Sequence, residues 1–291
     1  MTPFIGRAVV LAMGLIPVAC PQDVTFKQDV RLVEIYATVF DHGGRTVQGL
    51  TRDQFEIRDD GVVQPVRVFE ASDKSLSCAL LLDTTGSMRE AIPALRNATR
   101  EFIDALRPED SVGIYGFSDH LEELSEMGTD RAASRRAITR IRAEGRTALF
   151  DSISQLAIAL QNRPGKKVMV VLTDGGDNAS VLNSQTATER ARKAGIPVFA
   201  VAEGDALHDV VAEKLLHELS EITGGHAYKV NHYKDIDAIF TSIAGDLQNG
   251  YLLAFRPAAE GKKASWHELH VSVKDERHSF KIRARTGYSL D

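Results

Sequence analysis

Residues 78–87 read Cys78-Ala79-Leu80-Leu81-Leu82-Asp83-Thr84-Thr85-Gly86-Ser87. Five consecutive apolar residues end at a carboxylate, and two hydroxyls follow at alternate positions. An unbroken apolar run of this length is what a parallel strand covered on both faces requires. Beyond the loop, Ile92, Leu95, Thr99, Phe102 and Leu106 form one helical stripe, and Pro93 is tolerated in the first turn. A strand, a polar loop and a helix in that order make one unit of an open α/β sheet. Such sheets bind their ligands at the carboxyl ends of the strands.

The unit repeats along the chain. Strands are expected at Cys78–Leu82, Ser111–Phe117, Leu121–Leu124, Val168–Leu172, Pro197–Val201 and His226–Val230. Helices are expected between them, at Arg131–Ile141, Leu149–Leu160, Ser184–Lys193, Val210–Thr223 and Ile236–Leu247, with Gly195 and Gly224 placed to stop two of them. The alternation predicts a doubly wound α/β fold with a mostly parallel six-stranded sheet. One connection differs. Only Ser118-Asp119-His120 separate the second and third strands, so those two form an antiparallel hairpin.

Both flanks read as β structure. Val33, Ile35, Ala37 and Val39 alternate with their neighbours, and so do Leu269, Val271 and Val273, then Phe280, Ile282 and Ala284. Asp59-Asp60-Gly61 is a turn, and Thr51 to Gln54 fits a capping box with one helical turn. Neither flank is large enough to bury a core alone. The expectation is therefore an α/β domain over residues 75–249, inserted between β segments 23–74 and 250–291 that combine into one β-sandwich-like unit.

The amino terminus reads as an export signal over residues 1–20. Arg7 precedes an apolar stretch from Ala8 to Ala19, too short to span a bilayer comfortably. Cys20, preceded by Val18-Ala19, resembles the lipidated cysteine of a bacterial lipoprotein, although Pro17 stands where that motif prefers Leu. The expected location is exported: the cell envelope, lipid-anchored or periplasmic, or a secreted product. The net charge of −5 offers no general attraction for nucleic acid. Membrane contact is expected only through the lipid anchor. The second cysteine, Cys78, lies in an apolar run, so no disulfide framework is expected.

Asp83, Thr85 and Ser87 place three hard oxygen ligands on one loop, a set suited to Mg²⁺, Mn²⁺ or Ca²⁺. Two later segments add donors at the same sheet edge. Thr147, in Gly145-Arg146-Thr147, precedes a helix, and Asp174, in Thr173-Asp174-Gly175, ends a buried strand. These five residues resemble the metal-ion-dependent adhesion site of the von Willebrand factor type A family: D-x-S-x-S, then a Thr, then an Asp in a T-D-G context. Thr85 replaces the commoner Ser and keeps the hydroxyl. The resemblance covers roughly residues 76–248, and the flanking β segments resemble an exported bacterial subgroup of that family.

The resemblance implies a Rossmann-like domain that binds a divalent cation, Mg²⁺ preferred. It implies Thr85, Ser87 and Thr147 as neutral direct ligands, with Asp83 and Asp174 nearby, partly through waters. The partner implied is a protein that offers an Asp or Glu carboxylate to the ion. Arg89, Glu144, Arg146 and Asp177 flank the ligand loops as candidates for a partner-binding rim. Adhesion, assembly or scaffolding outside the cytoplasm is the expected role, and not catalysis. The alternatives are a Mg²⁺-dependent hydrolase, for which His120 is the only plausible base, and a structural envelope protein whose ion rigidifies its loops. No P-loop and no G-x-S-x-G elbow is present. Trp266-His267-Glu268-Leu269-His270 is not H-E-x-x-H, and in a strand its two histidines face opposite sides.

Overall fold

A computed structural model describes residues 32–71, 75–163, 166–203, 210–230, 232, 235–257, 266–275 and 278–289. The export signal and Cys20 lie outside the described residues, as does the start of the first β segment. The amino-terminal β segment holds β1 (Val33–Phe40), β2 (Phe55–Asp59), β3 (Val62–Gln64) and β4 (Val68–Glu70). The central region runs β5 (Leu76–Asp83), α1 (Ile92–Ala105), β6 (Ser111–Phe117), β7 (Leu121–Gly128), α2 (Arg131–Ile138), α3 (Leu149–Gln161) and β8 (Lys166–Thr173). It continues with α4 (Ser184–Ala194), β9 (Val198–Glu203), α5 (Val210–Thr223), β10 (Ala227–Val230) and α6 (Ile236–Gln248). The chain then returns to strands, β11 (Tyr251–Phe255), β12 (Trp266–Val273), β13 (Lys281–Ala284) and β14 (Gly287–Ser289).

The central sheet has the order β10-β9-β8-β5-β6-β7. Every neighbouring pair is parallel except β6 with β7, the expected hairpin. Period-2 alternation in β5 explains why the sheet needs helices on both faces. Leu76, Cys78, Leu80 and Leu82 face a core shared with α1, α2 and α6, whereas Ala79 and Leu81 face one shared with α3, α4 and α5. The helix stops are local. Gly195 and Gly224 take positive φ, 65° and 85°, just past α4 and α5. The helix expected over Arg131–Ile141 ends at Ile138 instead. There Arg96 donates to the carbonyls of Thr139 and Ile141, and the Thr139 hydroxyl donates to the carbonyl of Arg136. These side chains compete with the next turn.

The flanking strands interleave. One sheet has the order β13-β1-β11-β4 and the other β14-β12-β2-β3, so each mixes strands from the two ends of the chain. Ile35 pairs with Leu253, and Ile57 with Val271. The two sheets share one apolar core that includes Ile35, Val39, Ile57, Tyr251, Phe255 and Val271. Tyr251 sits near its centre. Its ring lies 5.0 Å from Phe55 and 6.0 Å from Phe69, and its hydroxyl accepts from the Leu50 amide (3.1 Å) and donates to the Val47 carbonyl (3.0 Å). Side chains tie this sandwich to the α/β region. Lys166 Nζ donates to the Gly250 carbonyl (2.8 Å), Arg283 pairs with Asp246 (2.9 Å), and the buried Arg285 guanidinium donates to the carbonyls of Glu34 and Arg192. Among the described residues no helix is long and apolar enough to cross a membrane.

Removing one atom tests the sandwich. Tyr251→Phe leaves the buried Leu50 amide without its acceptor and is predicted to lower the unfolding free energy by about 1–3 kcal/mol, read from chemical denaturation.

Candidate metal centre

Parallel pairing of β5 with β8 brings their carboxyl ends side by side, because Leu82 lies opposite Leu172. Asp83 and the Thr173-Asp174 pair therefore leave the sheet at one point. The Asp83 side chain is fully buried. Its Oδ1 accepts from the Thr85 amide (2.9 Å) and its Oδ2 from the Thr173 hydroxyl (2.7 Å). The loop then turns into a short 3₁₀ helix, Gly86–Glu90. That turn places the Thr85 and Ser87 hydroxyl oxygens 2.9 Å apart, and Ser87 Oγ donates to Asp174 Oδ1 at 3.1 Å.

These spacings suit the expected cation. An octahedral Mg²⁺ with oxygens at about 2.0–2.1 Å separates neighbouring ligands by about 2.8–3.0 Å. The chain of oxygens from Thr85 through Ser87 to Asp174 is already at that separation. The donors are also chemically suited, being neutral hydroxyls backed by two carboxylates.

Thr147 arrives by another route. Gly145 has φ +79°, and its carbonyl accepts from the Gly86 amide (3.2 Å), while the Glu144 amide donates to the Thr84 carbonyl (2.8 Å). These bonds hold the 144–147 loop against the Asp83 loop. A clasp on the other side fixes it against the segment after β8. The Thr147 amide donates to Asn178 Oδ1, and the Thr147 carbonyl accepts from the amides of Asn178 and Ala179. Asp177 accepts from the Phe150 amide and from both the amide and hydroxyl of Ser180. Asp151 accepts from the amides of Val181 and Leu182 (3.0 and 2.9 Å). Thr147 is buried within this frame.

The rim candidates divide. Arg89 and Glu144 are exposed at the loop surface. Arg146 is exposed and paired with Asp119 at 3.0 Å. Asp177 is turned into the clasp, where its carboxylate is engaged by backbone and Ser180. Sequence reasoning missed Thr173, Asn178 and Asp151 as the residues that position the cluster. Only Thr173 had a local signal, its hydroxyl beside Asp174.

Burial pushes the Asp83 carboxyl up to about 6, against the pull of its donors, and the nearby Asp174 carboxylate pushes the same way. In the metal-free protein the folded state therefore holds a proton that the unfolded chain, whose Asp titrates near 3.9, has released. The stabilisation is full below about pH 4 and is lost as pH rises through about 6. Denaturation midpoints measured in chelator from pH 4 to pH 7 should show this slope, and Asp83→Asn should remove it. Release of the clasp is a second check. Asp177→Ala should weaken Mg²⁺ affinity by roughly 10–100-fold in a calorimetric titration, as loss of an outer-shell support does.

The sequence model of the von Willebrand factor type A domain matches residues 78–242. The UPF0353 protein of Mycolicibacterium vanbaalenii is 23% identical over 212 residues, covering 60% of this chain and 63% of that protein. The chain thus spans less than two thirds of the curated relatives it matches first. Among solved structures, a von Willebrand factor type A protein from Catenulispora acidiphila has a TM-score of 0.54 at 12% identity, covering 91% of this chain and 76% of that one. The vWF domain of the type V pili tip protein Mfa5 from Porphyromonas gingivalis has a TM-score of 0.50 at 10% identity, covering 58% of this chain and 94% of that one. These structural likenesses are likenesses of fold.

Proposed function

The chain belongs to the von Willebrand factor type A domain family, and from that premise we propose that it is a protein-binding module that works through a divalent cation. Asp83, Thr85, Ser87, Thr147 and Asp174 hold the ion, with Mg²⁺ preferred and Mn²⁺ or Ca²⁺ as substitutes. When bound, the ion supplies an open position that takes an Asp or Glu carboxylate from a partner. The chain's own residues do the rest. Thr173 and the Thr85 amide orient Asp83, the clasp from Asp177 and Asp151 holds Thr147 in place, and the exposed Arg89 puts positive charge at the mouth, where an acidic partner segment approaches.

One observation carries this reading: the oxygens of Thr85, Ser87 and Asp174 lie side by side, 2.9 and 3.1 Å apart, close to the spacing of neighbouring ligands on an octahedral ion. Few direct anionic ligands leave the ion attractive to an outside carboxylate. A Porphyromonas pilus tip protein with the same domain fold supports a role in attachment or assembly. The export-type amino terminus, with Arg7, the Ala8–Ala19 stretch and Cys20, supports placement in the envelope or outside it. Catalysis is the weaker reading. His120, the base that a hydrolase would use, is exposed in the β6–β7 turn and takes no part in the hydrogen bonds that assemble the cluster. A purely structural role for the ion is the remaining alternative.

Partner capture from an envelope fraction separates these roles. Capture should require Mg²⁺ and should fall to background in Asp83→Ala. Equal capture with Mg²⁺ and with chelator would contradict the proposal and favour the structural role. Turnover of a phosphoester or peptide panel that disappears in His120→Ala would favour catalysis.

A further inference from the structure

A second cluster lies at one end of the β-sandwich, away from the loops described above. Period 2 places Phe55, Ile57 and Asp59 of β2 on the core-facing side. It places His267, Leu269 and Val271 of β12 on that side too. The last inward position of β2 is thus a buried carboxylate, and the inward position of β12 beyond Leu269 is a half-buried imidazole, where an apolar core needs neither. The Asp60-Gly61 turn joins β2 to β3 with positive φ at both residues, 48° and 81°, the requirement of a type I′ hairpin. That turn brings a second carboxylate to the same place.

Each carboxylate has one oxygen fixed from outside and the other turned to the imidazole. Asp59 Oδ2 accepts from the Tyr288 hydroxyl at 2.9 Å, and Asp60 Oδ1 from the Glu268 amide at 2.8 Å. The remaining Asp59 Oδ1 lies 3.8 Å from His267 Nδ1, and Asp60 Oδ2 shares a 2.9 Å hydrogen bond with the same nitrogen, the contact that an ion would replace. The imidazole orientation is fixed as well, because its ring stacks on Tyr288 at 4.9 Å and 18°. One atom stands out. Among the described residues Asp59 Oδ1 is buried without a hydrogen-bond partner, and Asp59 as a whole is only 7% exposed. A buried acceptor left unmatched is destabilising unless a ligand matches it. Outside donors that pin one oxygen of each carboxylate and turn the other toward the shared imidazole are the arrangement that supports metal ligands. Among the described residues this is the one group of three His, Cys, Asp or Glu side chains whose donor atoms converge, all within 4.8 Å.

We infer that Asp59, Asp60 and His267 form a second cation site, selective for Zn²⁺ or a similar transition ion. The donor set decides the class. One imidazole nitrogen with two carboxylate oxygens suits zinc, whereas the oxygen-only loop cluster suits Mg²⁺. Two carboxylates balance the charge of the ion. A tetrahedral Zn²⁺ with bonds of about 2.0–2.1 Å separates its donors by about 3.3–3.4 Å, between the two distances to His267 Nδ1. The H-E-x-x-H reading of this strand fails because His267 and His270 diverge. The partners of His267 come instead from a turn more than two hundred residues earlier.

The test uses the full-length chain carrying Asp83→Ala, so that the loop cluster does not contribute. The protein is loaded with Zn²⁺, desalted and assayed for bound metal, and Co²⁺ substitution reports coordination by its visible spectrum. One equivalent of Zn²⁺ should be retained, with the intense bands of low-coordinate Co²⁺. Both should be lost on adding His267→Ala or Asp60→Asn. Asp60→Asn keeps the hairpin acceptor, so a metal-free melting curve close to that of Asp83→Ala shows that the fold is intact. Failure to retain an equivalent would overturn the inference. So would equal retention in all three proteins, which would assign the zinc to the exposed histidines.

Discussion

The constraint on which the rest depends is the buried carboxylate of Asp83. It ends the central strand of the sheet with no exposure to solvent, and another carboxylate, Asp174, lies across the same cluster. Burying a charge in this way is costly unless donors or a cation offset it. Two donors are provided, the Thr85 amide and the Thr173 hydroxyl, yet burial still lifts the carboxyl to about 6. A divalent ion held by neighbouring hydroxyls would be the complement to such a pair.

Topology explains why the loops can do this. β5 lies between β8 and β6, so its carboxyl end is flanked by the segment after β8 and by the β6–β7 turn. The 144–147 loop and the start of α3 are clamped between them, by the Arg146 and Ala148 amides donating to Asp119 and Ser118 on one side and by Asn178 on the other. Backbone groups make most of these bonds. Position is therefore set by the chain path. The flanking sandwich contributes at the opposite end of the strands, where Lys166 and Lys167 begin β8 and bond to Gly250 and Tyr36.

Much of this was legible in the sequence, for identifiable reasons. Continuous apolar runs such as Cys78 to Leu82 mark covered strands, and the D-x-T-x-S loop carries its oxygen side chains within five residues. Thr147 and Asp174 stood out because each sits at a helix start or strand end in a short local motif. The clasp was not legible. Asp151, Asp177 and Asn178 act on backbone amides 27–31 residues away, and such bonds leave no periodic trace. The joining of the two β flanks followed from their inability to bury a core separately. Its register did not, because pairings such as Ile35 with Leu253 depend on the whole inserted domain. His267 illustrates the same limit, since its neighbours in space are far from it in sequence.

The most direct measurement is a calorimetric titration of the full-length protein with Mg²⁺ at neutral pH, alongside Thr147→Val. The variant removes one hydroxyl and leaves the Asp83, Ser87 and Asp174 oxygens in place. The account predicts one ion per chain in the unaltered protein and a large loss of affinity in Thr147→Val. An unaltered protein that takes up no Mg²⁺ at millimolar concentration, or a variant that binds it equally well, would contradict the assignment of these five residues as a single cation site.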